Sequence, residues 1–177
     1  LTVGKDQSTN TWAYSSTGAY SIAGPIKIYA GASATIGHNM TSTGSGTGGI
    51  LVKATGDVIA SGGASGTPRT LQTNGSPITI WSDSDNSGAG AINFANYTTV
   101  NSAGGSLLPA TAGGQITLGG GQDTSSPADD VPDGYATGNA TGNTNGIILG
   151  TIAYVANSIN VYSGNSGISM RGQSAYG

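Results

Sequence analysis

The chain has 177 residues, 32 of them Gly, and carries a net charge of −3 with only 7% charged residues. An ordinary domain has roughly 25%. The five basic residues (Lys5, Lys27, Lys53, Arg69 and Arg171) are scattered and form no basic stripe, which argues against a nucleic-acid partner. No apolar run approaches the ~18 residues of a membrane-spanning helix, and the absence of Cys excludes a disulfide framework.

Gly, Ser and Thr are abundant, so disorder is the first rival. Disorder goes with low hydrophobicity and high net charge. Here the charge is small and the apolar residues fall into evenly patterned phrases, so the reading is a folded all-β chain. Every acid is Asp, and Ile and Val far outnumber Leu. Both choices favour strands and turns over helices, because β-branched side chains suit a pleated surface and Asp suits turns. Leu1 is not an initiator Met, so the chain is read as processed or as a piece of something longer.

In chain order, residues 1–24 are the least regular. Trp12, Tyr14, Tyr20 and Ile22 stand apart among Ser, Thr, Asn and Gly. This segment is expected to be an irregular cap over an open end, or a segment that pairs with a neighbouring subunit. Pro25 then opens the phrase Ile26-Lys27-Ile28, as Pro77 opens Ile78-Thr79-Ile80; Pro is tolerated at the first residue of a strand. The same apolar–polar–apolar pattern, the two-residue period of a half-buried strand, recurs in Ile92-Asn93-Phe94, Ile116-Thr117-Leu118, Ile159-Asn160-Val161 and Ile168-Ser169-Met170. Ile50-Leu51-Val52 and Ile147-Ile148-Leu149 are fully apolar versions. Further strands are expected at 34–37, 57–60, 69–73 and 98–102. The residues at 122–145, with Asp123, Asp129, Asp130 and Asp133, read as a long inserted loop.

Tight Asn-Gly turns between paired strands are largely missing, which argues against hairpins. A parallel β-helical coil fits better, with residues 25–177 as its body. Ile26, Ile50, Ile78, Ile116 and Ile159 would begin successive coils, at spacings of 24, 28, 38 and 43 residues. Each coil advances one strand spacing of about 4.8 Å. One coil cannot stand alone, because each ordered residue costs roughly 1–2 kcal/mol of backbone entropy while each buried aliphatic contributes roughly 1.5–3 kcal/mol. Only stacking makes the sum favourable.

Residues 48–63 (GGILVKATGDVIASGG), 71–85 (LQTNGSPITIWSDSD), 91–105 (AINFANYTTVNSAGG) and 113–121 (GGQITLGGG) resemble the repeats of filamentous-haemagglutinin-like adhesins. These are large secreted bacterial β-helix proteins. The resemblance spans roughly residues 25–177 and is low-complexity in character. It implies a right-handed parallel β-helix on a bacterial surface or in an extracellular fibre.

The candidate sites are few. Asp83, Asp85 and Ser87, with Gly88 in sixth place, follow the opening of a calcium loop; Phe94 stands where the closing bidentate Glu belongs. A solvated corner closed by its own Asp and Asn is the competing reading. Calcium is therefore the one candidate cofactor. Gly119-Gly120-Gly121-Gln122-Asp123 partly matches a calcium nonapeptide but occurs once, and is read as a turn. The residue after each phrase should face outward, giving a column of Tyr29, Lys53, Trp81, Gly119 and Tyr162. Lys53 over Trp81 would make a cation–π contact, and Tyr29, Trp81 and Tyr162 would offer a platform for sugars. Asn39, Asn96 and Asn139 head Asn-x-Thr sequons. His38, the only His, reads as a corner residue.

No catalytic constellation can be assembled, since no basic or acid–base partner lies near the clustered acids; an enzyme such as a polysaccharide lyase is not expected. The expected role is a structural or adhesive segment of a secreted bacterial surface protein or fibre. Its partners would be further copies, neighbouring repeats, or host and matrix glycans. A carbohydrate-binding module is the alternative.

Overall fold

A computed structural model describes residues 1–4, 12–14 (backbone only), 19–44, 48–104, 113–150 and 159–176. Among these there are strands and no helix.

Sheet A has six strands: β1 (Thr2–Val3), β4 (Ile26–Ala30), β7 (Ile50–Ala54), β10 (Ile78–Ser82), β13 (Ile116–Gly120) and β17 (Ile168–Met170). Sheet B has five: β2 (Trp12–Tyr14), β5 (Ala34–Ile36), β8 (Val58–Ala60), β11 (Ile92–Phe94) and β15 (Ile147–Leu149). Sheet C also has five: β3 (Tyr20–Ile22), β6 (Met40–Ser42), β9 (Arg69–Thr73), β12 (Thr98–Asn101) and β16 (Asn160–Tyr162). A further pair joins β14 (Ala136–Thr137) to β18 (Gly172–Gln173). Every strand pairing is parallel, and the chain visits A, B and C in turn before returning to A.

The register stacks like on like. Ile26, Ile50, Ile78, Ile116 and Ile168 are level in sheet A, as are Ile28, Val52, Ile80, Leu118 and Met170. Four of the five residues expected to stack, Ile26, Ile50, Ile78 and Ile116, therefore stand level in sheet A. Ile159 does not: its phrase leads into β16 of sheet C, where Val161 is level with Val100, and Ile168 takes its place in sheet A. The physical reason is that the apolar–polar–apolar phrase marks any strand with one inward face. It carries no label for which sheet that strand joins, and Ile92 and Ile147 stand in sheet B for the same reason.

The described parts of residues 1–24 are not irregular. β1, β2 and β3 add one strand to each sheet, level with β4, β5 and β6. Residues 5–11 and 15–18 lie outside the described residues. Short strands with one anchor, such as β6 with Met40, escape a periodicity search because the pattern needs at least two apolar positions.

Core side chains alternate along β4 (Ile26, Ile28 and Ala30 buried), and the strands of sheets B and C complete the interior with Ile36, Val58, Leu71, Phe94 and Val100. The corner from C to A is lined by hydroxyls. Ser42, Thr73, Ser102 and Ser163 are all buried. Each donates to a nearby carbonyl: Ser42 Oγ to Gly24 O at 2.9 Å, Thr73 Oγ1 to Ser76 O, Ser102 Oγ to Gly114 O, and Ser163 Oγ to Ser166 O at 2.6 Å. Turning the chain inside such a corner leaves carbonyls off the ladder, and small hydroxyl side chains satisfy them without widening the bend. Gly114 is required there by space: a Cβ would lie 2.1 Å from the Ser76 carbonyl.

Candidate functional site

The face of sheet A turned away from the core is the surface that the sequence assigned to ligands. Tyr29, Lys53, Trp81 and Gly119 do stand level in one column. Lys53 Nζ lies 3.7 Å from the centroid of the Trp81 ring, so the expected cation–π pair is present. Tyr162 is not in this column. It ends β16 of sheet C, level with Asn101, because the phrase that precedes it belongs to sheet C.

Trp81 itself is completely buried, and Leu51, Thr79 and Thr117 on the same face are buried as well. Strands β10 and β13 are buried on both faces. The cover is the segment 121–135, which begins the expected insertion and lies back across the sheet as a strap. Trp81 Nε1 donates to Gly121 O at 2.7 Å, and Gly121 N donates to Asp83 O at 3.1 Å. Gly119 leaves room for it, since a Cβ there would stand 3.1 Å from Pro132 Cγ. Further along, Gly134 N donates to Gly120 O at 2.9 Å.

The strap's acids build its shape. Asp123 accepts from the backbone N–H of Ser125 and of Asp129, each at 3.0 Å. Asp129 accepts from Val131 N at 3.0 Å, and Asp133 Oδ2 accepts from both the N–H and the hydroxyl of Thr124 at 2.7 Å. Asp130 alone reaches across the sheet, to Lys27 Nζ at 2.6 Å. Arg171 Nη1 closes the far side by donating to Asp133 O at 2.8 Å. Between the strap and the first residues of β4, β7 and β10 lies a cleft of about 190 Å³, walled by Pro25, Leu51, Pro77, Thr79 and Val131 beside the Lys27–Asp130 pair. That is below the roughly 300–1,000 Å³ of a small-molecule site.

The hydrogen bond to Asp130 raises the Lys27 ammonium above its ordinary 10.5. The Thr124 hydroxyl, then the Thr124 N–H, lower the Asp133 carboxyl below its ordinary 3.8. A raised Lys contributes stability that is fully present below its unfolded value and is lost as pH rises through the folded one. A lowered Asp contributes above its unfolded value and is lost as pH falls through the folded one. The strap is therefore expected to hold constant from roughly pH 4 to pH 10 and to loosen at either extreme. The Lys27–Asp130 part of the effect is small, since an exposed ion pair contributes about 0–1 kcal/mol. Limited proteolysis of 121–135 across pH checks this; a protection that changes steadily through neutrality contradicts it.

The other expected site residues fall as follows. Asp83 sits buried at φ +49°, and its Oδ1 accepts from the Ser87 hydroxyl and the Gly88 N–H, both at 3.1 Å. Asp85 Oδ1 accepts from Ser87 N at 3.3 Å. The three candidate calcium residues are thus close together and already hydrogen-bonded within their own loop. Among the described residues no three carboxylate or imidazole groups gather as a metal site. Of the sequon residues, Asn39 Oδ1 accepts from Thr70 N at 3.0 Å. Asn139 Nδ2 donates to Asp57 Oδ1 at 3.3 Å, beside Asn143 Nδ2 on Asp57 Oδ2 at 2.9 Å. Asn96 is half-buried, and Thr98 of its sequon is fully buried with its hydroxyl donated to Ala95 O.

No family model, no curated protein and no solved structure matches this chain.

Proposed function

We propose that sheets A, B and C are the three faces of a right-handed parallel β-helix, and that the chain is a structural, adhesive segment of an extracellular bacterial surface protein or fibre. The observation that carries this reading is the in-phase parallel register, which stacks the inward aliphatic side chains from strand to strand. Parallel crossovers are right-handed in nearly all folds, which sets the hand. The similarity of the repeats to filamentous-haemagglutinin-like adhesins supports the cellular setting. Calcium, glycans and N-linked sugar remain candidate additions to that scaffold rather than its basis.

The end of the stack gives the segment a way to associate. Ile168 is 45% exposed and Met170 is 41% exposed, although both continue columns that are 0–2% exposed further in. Leu149, at the edge of sheet B, is 40% exposed. An edge strand with bare aliphatics favours another parallel strand in the same register. Sheet A has one strand more than sheets B and C. A second copy that filled B and C would therefore bring its own first strand onto β17, and the two-residue β1 is the piece that would give way. Met170→Asp is expected to leave the melting temperature within about 2 °C, because it is a surface change, and to shift any concentrated assemblies to monomers. Sedimentation and electron microscopy read this. Wild-type chains that stay monomeric at high concentration, without fibres, would remove self-assembly from the proposal.

A further inference from the structure

We propose that the cleft beside β9 binds an oxyanion, a carboxylate or a sulfate, through Arg69. The inference is independent of whether the chain self-associates.

Arg69 is two residues before Leu71 and four before Thr73, so the strand alternation turns it to the core-facing side. It stands level with buried Thr98, at the corner between sheets B and C. Its Nη2 donates to Gly62 O at 3.3 Å. Its Nε is buried and has no hydrogen-bond partner. Among the described residues no carboxylate comes within ion-pair reach of it. A guanidinium presents donors in a fixed fork that matches the oxygens of a carboxylate or sulfate two at a time. Leaving a buried donor unsatisfied is unfavourable, so such a group in a folded protein calls for an explanation.

The surroundings form a built cleft rather than a chance exposure. About 620 Å³ of open space is walled by residues that include Asn39, Gly62, Gly63, Thr67, Pro68 and Arg69. The corner is fixed: Ala64 and Thr67 exchange backbone hydrogen bonds at 3.1 and 3.0 Å, Gly63 N donates to Asn96 O, and Arg69 N donates to Tyr97 O. Gly63 is closely packed, since a Cβ would lie 2.4 Å from Thr67 O and 2.6 Å from Arg69 N. Asn39 Oδ1 is held by Thr70 N, which turns its amide NH₂ to the other side. Among the described residues no acid lines the cleft. In a chain of net charge −3 this leaves a cationic spot without a counter-charge. An incoming oxyanion would draw the guanidinium round so that its Nε–H and one Nη–H donate together. An acidic saccharide, carrying a carboxylate or a sulfate, has this chemistry and would use the remaining width of the cleft for its ring.

The test titrates the full chain with sodium sulfate and separately with glucuronate, each at constant ionic strength against chloride, and follows the Arg69 Nε–H and the Gly62 and Gly63 amides by NMR. The expected result is saturable binding with a Kd of about 1 mM or tighter. Arg69→Lys, which keeps the charge and loses the fork, should weaken it by at least about tenfold. Response to sulfate alone, to glucuronate alone or to both supports the site and identifies the group it prefers. Shifts that do not saturate, that map elsewhere, or that Arg69→Lys leaves unchanged overturn it. The Arg69 Nε–H signal of the unmodified chain decides the matter should the variant misfold.

Discussion

Ile80→Asp is expected to abolish cooperative unfolding. Ile80 is fully buried in β10, with Val52 level on one side and Leu118 on the other. The substitution removes aliphatic packing worth about 2–5 kcal/mol. It also places a carboxyl where no donor faces it, at a cost of several further kcal/mol even after the group neutralises itself by a raised pKa. A domain has only about 5–15 kcal/mol in total. In the proposed β-helix the loss would also spread, because each pass is stable only through its neighbours on both sides. Circular dichroism on heating should show no sigmoidal transition. A melt like that of the parent chain would mean that Ile80 does not face the interior. Met170→Asp is the matched control, since the same column at the open end is already in contact with water.

The second large effect should come from Trp81→Ala. A buried aromatic truncated to Ala costs about 3–5 kcal/mol. This one is also the underside of the strap: it loses the Nε1–H bond to Gly121 O and the surface over which Lys53 Nζ lies. At roughly 2–4 °C per kcal/mol for a chain of this size, the melting temperature should fall by about 10 °C. Protease cleavage within 121–135 should quicken. Trp81→Phe, which keeps most of the packing and loses the hydrogen bond, should fall between. If Trp81→Ala leaves both melting and cleavage unchanged, the strap does not rest on the indole. The contrast with the Lys27–Asp130 pair is instructive. That ion pair is the most visible tie between strap and sheet, yet it is half in solvent, and its expected contribution is several-fold smaller.

Much of the architecture could be read from spacing. The two-residue alternation of Ile26-Lys27-Ile28 or Ile116-Thr117-Leu118 depends on local backbone geometry alone, so it announces strands with one inward face wherever it occurs. The Gly- and Ser-rich breaks locate the corners, and the scarcity of tight hairpin turns points to parallel stacking. The pairing of Lys53 with Trp81 followed from the same register, because both directly succeed a phrase. The phrase at Ile159 falls in sheet C rather than sheet A, because eight similar phrases serve three sheets and only the strand each one pairs with across space assigns it to its sheet.

The sequence by itself therefore determined the strands that carry two apolar positions and their inward faces, since these are properties of neighbouring residues, while a short strand such as β6 left no such mark. Tertiary structure alone decided which outward residues stay outward. Thr79, Trp81 and Thr117 point away from the core by alternation and are nevertheless buried, because a segment beginning 40 residues after Trp81 folds back over them. The orphaned Nε of Arg69 is of the same kind. Whether a donor is satisfied depends on what lies across space from it, and no local pattern encodes that.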